Sequence, residues 1–100
     1  MTAQHAPGVL LIAAWHFARM RSMPRQFWSL RRLERECRAW PGCRWVHRWV
    51  SRRSLLLTST WESEAAADAW LASTALRDFD ARARGLRGTV ARIERYGPPR

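Results

Sequence analysis

The sequence predicts one α+β domain of βαββαβ order, ferredoxin-like, that pairs with a second copy into a dimeric α+β barrel. Three observations carry this expectation. Short segments of strand character alternate with segments of helical period in that order, and the order describes a four-stranded antiparallel sheet with both helices on one side. A chain of 100 residues supports one modest core and no second domain. The first and third strand segments are apolar at consecutive positions, so the sheet face turned away from the helices needs cover from outside.

Residues 1–7, MTAQHAP, hold no periodic pattern and end in proline, and read as a loose lead-in. The domain spans 8–97, with 98–100 as a tail. From Val9 to Phe17 the run VLLIAAWHF, bounded by Gly and Arg, is a short buried strand. Ser22 then offers an N-cap and Pro24 falls in the first turn. Phe27, Leu30, Leu33, Cys37 and Trp40 recur at helical spacing until Pro41-Gly42. In CRWVHRWVS, alternation places Cys43, Trp45, His47 and Trp49 on one face, and Arg44, Val46, Arg48 and Val50 on the other. After a tight turn at Arg52-Arg53, Leu55 to Trp61 has strong β content and forms the hairpin partner. Ser63 caps a second helix whose face runs through Ala67, Trp70, Leu71, Thr74 and Phe79 to a stop at Gly85. GTVARIERY, Gly88 to Tyr96, is the last strand, and GPPR ends it.

Composition narrows the function classes. Apolar residues make up 47% and charged residues 26%, and no apolar run approaches the roughly 18 residues needed to cross a membrane. Nor does Gly8 to Ala14 have the flanks of a signal peptide, so the expected location is the cytoplasm. Cys37 and Cys43 have neither disulfide-framework numbers nor CxxC spacing, and read as buried thiols without a metal role. All 18 basic residues are arginine, giving a formal charge of +10. That usage fits a GC-rich coding bias as well as a functional choice. The glycine-aromatic pattern of RNA-recognition strands is absent from SLLLTSTWES, so nucleic acid is not the expected partner. No GxGxxG, P-loop, HExxH or GxSxG motif occurs.

The segment WESEAAADAWLASTALRDF, Trp61 to Phe79, resembles the junction of third strand and second helix in the antibiotic biosynthesis monooxygenase family of dimeric α+β barrels. There a tryptophan closes a strand, an acidic or serine cap follows, and an aromatic and a serine sit on the helix. Among its branches the heme-degrading one is most similar: its helix tryptophan corresponds to Trp70, its serine to Ser73, and its axial histidine position to about Asp80. This chain has no histidine there, and its first strand carries Trp15 and His16 where that branch uses an asparagine. FWS at 27–29, PGC at 41–43 and TSTWES at 58–63 are similar to spheroidene monooxygenase-like proteins. The resemblance covers roughly residues 9 to 96. It implies a homodimer and a ligand cavity between the sheet and the helices of each subunit.

Residues at the strand ends and on the inner face of the second helix would line that cavity. The candidate catalytic groups are His16, His47 and Asp80; the candidate substrate-binding groups are Trp15, Trp45, Thr58, Thr60 and Trp70. His47 lies between Trp45 and Trp49 and suits general-base work or heme ligation; its structural alternative is a hydrogen-bonded interface histidine. His16 must point away from the face that Trp15 takes. If Trp15 faces the partner sheet, His16 faces the cavity. Trp70 can stack on a planar substrate or simply fill the core, and Asp80 can be a buried base or half of an i,i+4 pair on a solvated helix. Thr58 and Thr60 share a face and can hydrogen-bond a substrate oxygen. Arg44, Arg48, Arg92 and Glu94 suit an ion network or an anion site. The expected function is a monooxygenase-like reaction on an aromatic or hydrophobic small molecule in secondary metabolism. No cofactor is favoured, no metal is expected, and heme through His16 or His47 is the alternative. A non-catalytic binding or accessory dimer is the other.

Overall fold

The structure, a computed structural model, describes residues 8–97; the expected lead-in and tail lie outside the described residues. Strand β1 is Val9–His16, helix α1 is Met23–Arg38, and strands β2 and β3 are Cys43–Val50 and Ser54–Trp61. Helices α2, Glu64–Leu71, and α3, Thr74–Arg84, precede strand β4, Val90–Tyr96. The sheet order is β2-β3-β1-β4 with every pairing antiparallel. Thus the expected βαββαβ order and ferredoxin-like topology are present, with the second helix in two pieces.

Alternation in β1 and β3 decides which side chains meet the helices. Val9, Leu11, Ala13 and Trp15 are buried, as are Leu55, Leu57, Ser59 and Trp61. The intervening Leu10, Ile12, Ala14, Leu56, Thr58 and Thr60 are half-buried on a face that no helix covers. Helix α1 completes the core with Leu30, Leu33 and Cys37 at helical spacing.

Ser22 does not cap α1 with its side chain, because its backbone is already helical (φ −79°, ψ −18°) behind a 3₁₀ turn at Met20–Ser22. The single second helix expected from Ser63 to Gly85 is also corrected. Ser73 is extended (φ −66°, ψ 146°) and its hydroxyl accepts a hydrogen bond from the Leu76 amide at 3.3 Å, starting α3 as a new helix. The physical reason is phase. At about 100° per residue, the nine residues from Trp70 to Phe79 would put these two rings on opposite sides of an unbroken helix. The break turns both into the core, where they are 2% and 1% exposed. A serine N-cap of this kind contributes about 1 kcal/mol.

One alternation is likewise corrected. A bulge between Cys43 and Trp45 shifts the register, so Cys43 pairs opposite Trp61 and packs against the core while Trp45, His47 and Trp49 stay on the uncovered face. Gly42, at φ +88°, turns the chain into β2 where an added Cβ would meet the Ala66 Cβ at 2.4 Å.

Candidate functional site

The eight candidate residues fall into two groups on opposite sides of the sheet. Trp15, Trp70 and Asp80 belong to the layer between sheet and helices. That layer is packed: Trp15 and Trp61 are fully buried, and Trp70 stacks at 6.0 Å on Trp61 and meets Trp40 edge-on at 5.5 Å. Trp15 meets Phe79 edge-on at 4.6 Å, and its indole Nε1 donates to Asp80 Oδ1 at 2.9 Å. Asp80 also accepts from Arg84 Nε at 2.8 Å. Its carboxylate is therefore committed on both oxygens.

His16, Trp45, His47, Thr58 and Thr60 lie together on the uncovered face. Trp15 faces the helices, so the alternation of β1 sends His16 to the opposite side. On β2, His47 stacks on Trp45 at 5.9 Å between centroids with planes 12° apart, and meets Trp49 edge-on at 4.6 Å. Thr58, across from His47 on β3, ties this wall together: it accepts from Trp49 Nε1 at 2.9 Å and donates to the His47 carbonyl at 3.3 Å. Thr60 sits opposite Trp45. The centre of the face, Leu10, Ile12, Ala14 and Leu56, is apolar, and β4 adds Val90, Arg92, Glu94 and Tyr96. Trp45, Trp49, Val90 and Tyr96 are each about half exposed or more.

His16 stands apart from His47. Its Nδ1 lies 2.6 Å from Ser54 Oγ, and the ring borders a cavity of about 540 Å³ with Met20 and Arg52. The registers place Thr58 between His47 and Ile12, and Ile12 four residues from His16. Two strand spacings across and four residues along separate the two imidazoles by roughly 16 Å. They cannot serve the same bond within one chain.

The arginines also divide. Arg48 lies on the helix side, paired with the buried Glu34, which also holds Arg38 at 3.2 Å. Arg92 lies on the uncovered face, 4.0 Å from Glu94. They do not form one network. Burial, reinforced by the neighbouring Cys43, pushes the Cys37 thiol far above its ordinary range, and burial raises Cys43 as well. Neither suits a nucleophile that must be a thiolate. Among the described residues no group of three or more His, Cys, Asp or Glu could hold a metal ion, and no helix is long and apolar enough to cross a membrane.

A heme between sheet and helices does not fit these residues. The axial position holds Asp80, bound by Trp15 and Arg84, and the layer a porphyrin would enter is filled by indoles. Sequence reasoning passed over Trp49 and Ser54 as site residues, although the period-two pattern that selected Trp45 and His47 also selects Trp49. Ser54 had no signal before the register of β1 on β3 brought it to His16.

Known proteins align with this geometry. The family model described as antibiotic biosynthesis monooxygenase matches residues 29–82. No curated protein matches the chain. Among solved structures, Rv0793 from Mycobacterium tuberculosis is 19% identical with a TM-score of 0.76, over 92% of this chain and 96% of that one. A Bacteroides thetaiotaomicron protein of unknown function, titled a possible oxidoreductase, is 11% identical with a TM-score of 0.79, over 93% and 99%. SnoaB from Streptomyces nogalater, titled a cofactor-independent oxygenase, is 13% identical with a TM-score of 0.72, over 95% and 96%. At these identities the likeness concerns the fold.

Proposed function

We propose, because the chain belongs to the antibiotic biosynthesis monooxygenase family, that it is a cytoplasmic homodimer that oxygenates an aromatic or otherwise hydrophobic small molecule in secondary metabolism. The observation that carries this reading is the wall of Trp45, His47 and Trp49 on an apolar sheet face. A second copy laid on that face covers the half-exposed indoles and turns the wall into the side of a dry chamber. Flat indole faces there suit a planar aromatic substrate, and the hydroxyls of Thr58 and Thr60 suit its oxygens.

The chemistry assigned to the chain needs no group beyond substrate and oxygen. His47 takes a proton from an activated methylene carbon between aromatic or carbonyl groups, and the carbanion gives electrons to O₂. Both C–H bonds break, one oxygen atom becomes the new carbonyl, and the other leaves as water. The substrate carbon supplies all the electrons. The printed description of SnoaB as cofactor-independent supports this form of the reaction.

Oxygen uptake with such a methylene substrate is the test. His47→Ala is expected to lower turnover by about 10²–10⁴-fold, the usual worth of a positioned general base, with His16→Ala changing it less than threefold or so. Equal turnover in wild type and His47→Ala would refute His47 as the base. A Soret band on adding hemin that disappears in His47→Ala would replace the oxygenase reading with a heme protein.

A further inference from the structure

The basic residues are not spread evenly over the helix layer. Arg25 and Arg32 on α1 and Arg82 on α3 line one cleft of about 660 Å³ between these helices, together with Gln26 and Trp28. The side chains of these three arginines make no hydrogen bond or ion pair with any described residue, unlike Arg38, Arg48, Arg84 and Arg95. Glu36, which borders the adjoining small pocket with Arg32 and Arg82, and Asp78, one turn before Arg82 on α3, form no ion pair with these arginines. Three guanidiniums facing one cleft repel one another, and an anion removes that repulsion.

Two further groups point to what the anion carries. Gln26 is 92% buried as a residue, but its carboxamide end reaches solvent at the cleft and has no hydrogen-bond partner among the described residues. An amide held at the rim of the cleft and unclaimed by the protein is free to bond to a ligand. Trp28 is 61% exposed on a helix whose other large apolar residues pack inward, and the Arg31 guanidinium stacks over its ring at 4.9 Å. Core packing does not account for this indole.

We infer that the cleft between α1 and α3 binds a nucleoside phosphate, with its phosphate on Arg25, Arg32 and Arg82, its base on Trp28, and a base edge on the Gln26 carboxamide. The cleft is an open groove long enough to present the arginines and the indole to one ligand. The amide offers one acceptor and two donors, as a heterocyclic base edge requires. The cleft lies on the helix side, so a second copy covering the sheet face leaves it open. It is separate from His47 and its wall.

Calorimetric titration of the whole protein with adenosine 5′-monophosphate tests this, beside adenosine, inorganic phosphate and a single-stranded oligonucleotide. The expected result is saturable binding of the monophosphate, each half binding at least tenfold more weakly, and about tenfold loss in both Trp28→Ala and the Arg32→Gln/Arg82→Gln double variant. These residues lie at the surface, and unchanged melting of the variants confirms that the fold is kept. Absence of binding, equal binding in either variant, or phosphate binding as tightly as the nucleotide overturns the site. An oligonucleotide that binds where the mononucleotide does not would make the surface a nucleic-acid track and overturn it as well.

Discussion

Trp15→Ala is expected to cost about 3–5 kcal/mol, a large share of the stability of a domain this small. Trp15 has no exposed surface, packs edge-on against Phe79, and donates its indole N–H to Asp80, so truncation opens a cavity and removes a partner from a half-buried carboxylate. Trp15→Phe separates the two effects. It keeps most of the ring packing and loses the hydrogen bond to a charged acceptor, for about 2 kcal/mol. Chemical denaturation of the three proteins reads these values. A loss under about 1 kcal/mol for the alanine variant would mean that Trp15 is not the centre of the core, and that the sheet–helix layer has room for a ligand after all.

The second large effect concerns association. Ile12 sits at the middle of the uncovered face, between Thr58 on β3 and Glu94 on β4, and does not belong to the hydrophobic core. Ile12→Glu places a carboxylate where two copies would meet, beside an existing one. Wild type is expected at about twice its 11.7 kDa chain mass in solution. The variant should dissociate on the order of a thousandfold more readily, since a charge without a partner is buried in each copy. Its monomer should melt close to the wild-type monomer, because the substitution leaves the helix side untouched. Identical masses for both proteins at micromolar concentration would place the interface elsewhere.

Much of this fold was legible because its strands announce themselves by length, β content and, in β2 and β4, parity. VLLIAAWH and SLLLTSTW gave two buried strands, and RWVHRW gave the wall of Trp45, His47 and Trp49 directly. What failed was phase and register. The second helical segment looked continuous since each half is amphipathic by itself; only comparing Trp70 with Phe79, half a turn out of step, reveals the break at Ser73. The bulge that moves Cys43 inward has no residue signature, as it depends on how β2 meets Trp61 on β3. For the site, composition selected the right kinds of residue, yet could not say that Trp15, Trp70 and Asp80 lie across the sheet from His47. That separation follows from which face of β1 meets the helices.

The sequence also could not rank His16 against His47. Both are imidazoles on strands, and only the strand registers show that one stands beside Ser54 at the edge and the other within an indole wall. Arginines offered a similar ambiguity. Their number was plain, but which of them lack partners depends on how α1 and α3 approach.

Turnover under ¹⁸O₂ in chelator-treated buffer decides whether the proposed insertion of oxygen from O₂ into an activated aromatic substrate takes place on this protein. One ¹⁸O atom is expected in each product carbonyl, with one O₂ consumed per product and loss of both in His47→Ala. Product carrying oxygen only from water, or formed equally fast without the protein, would contradict it.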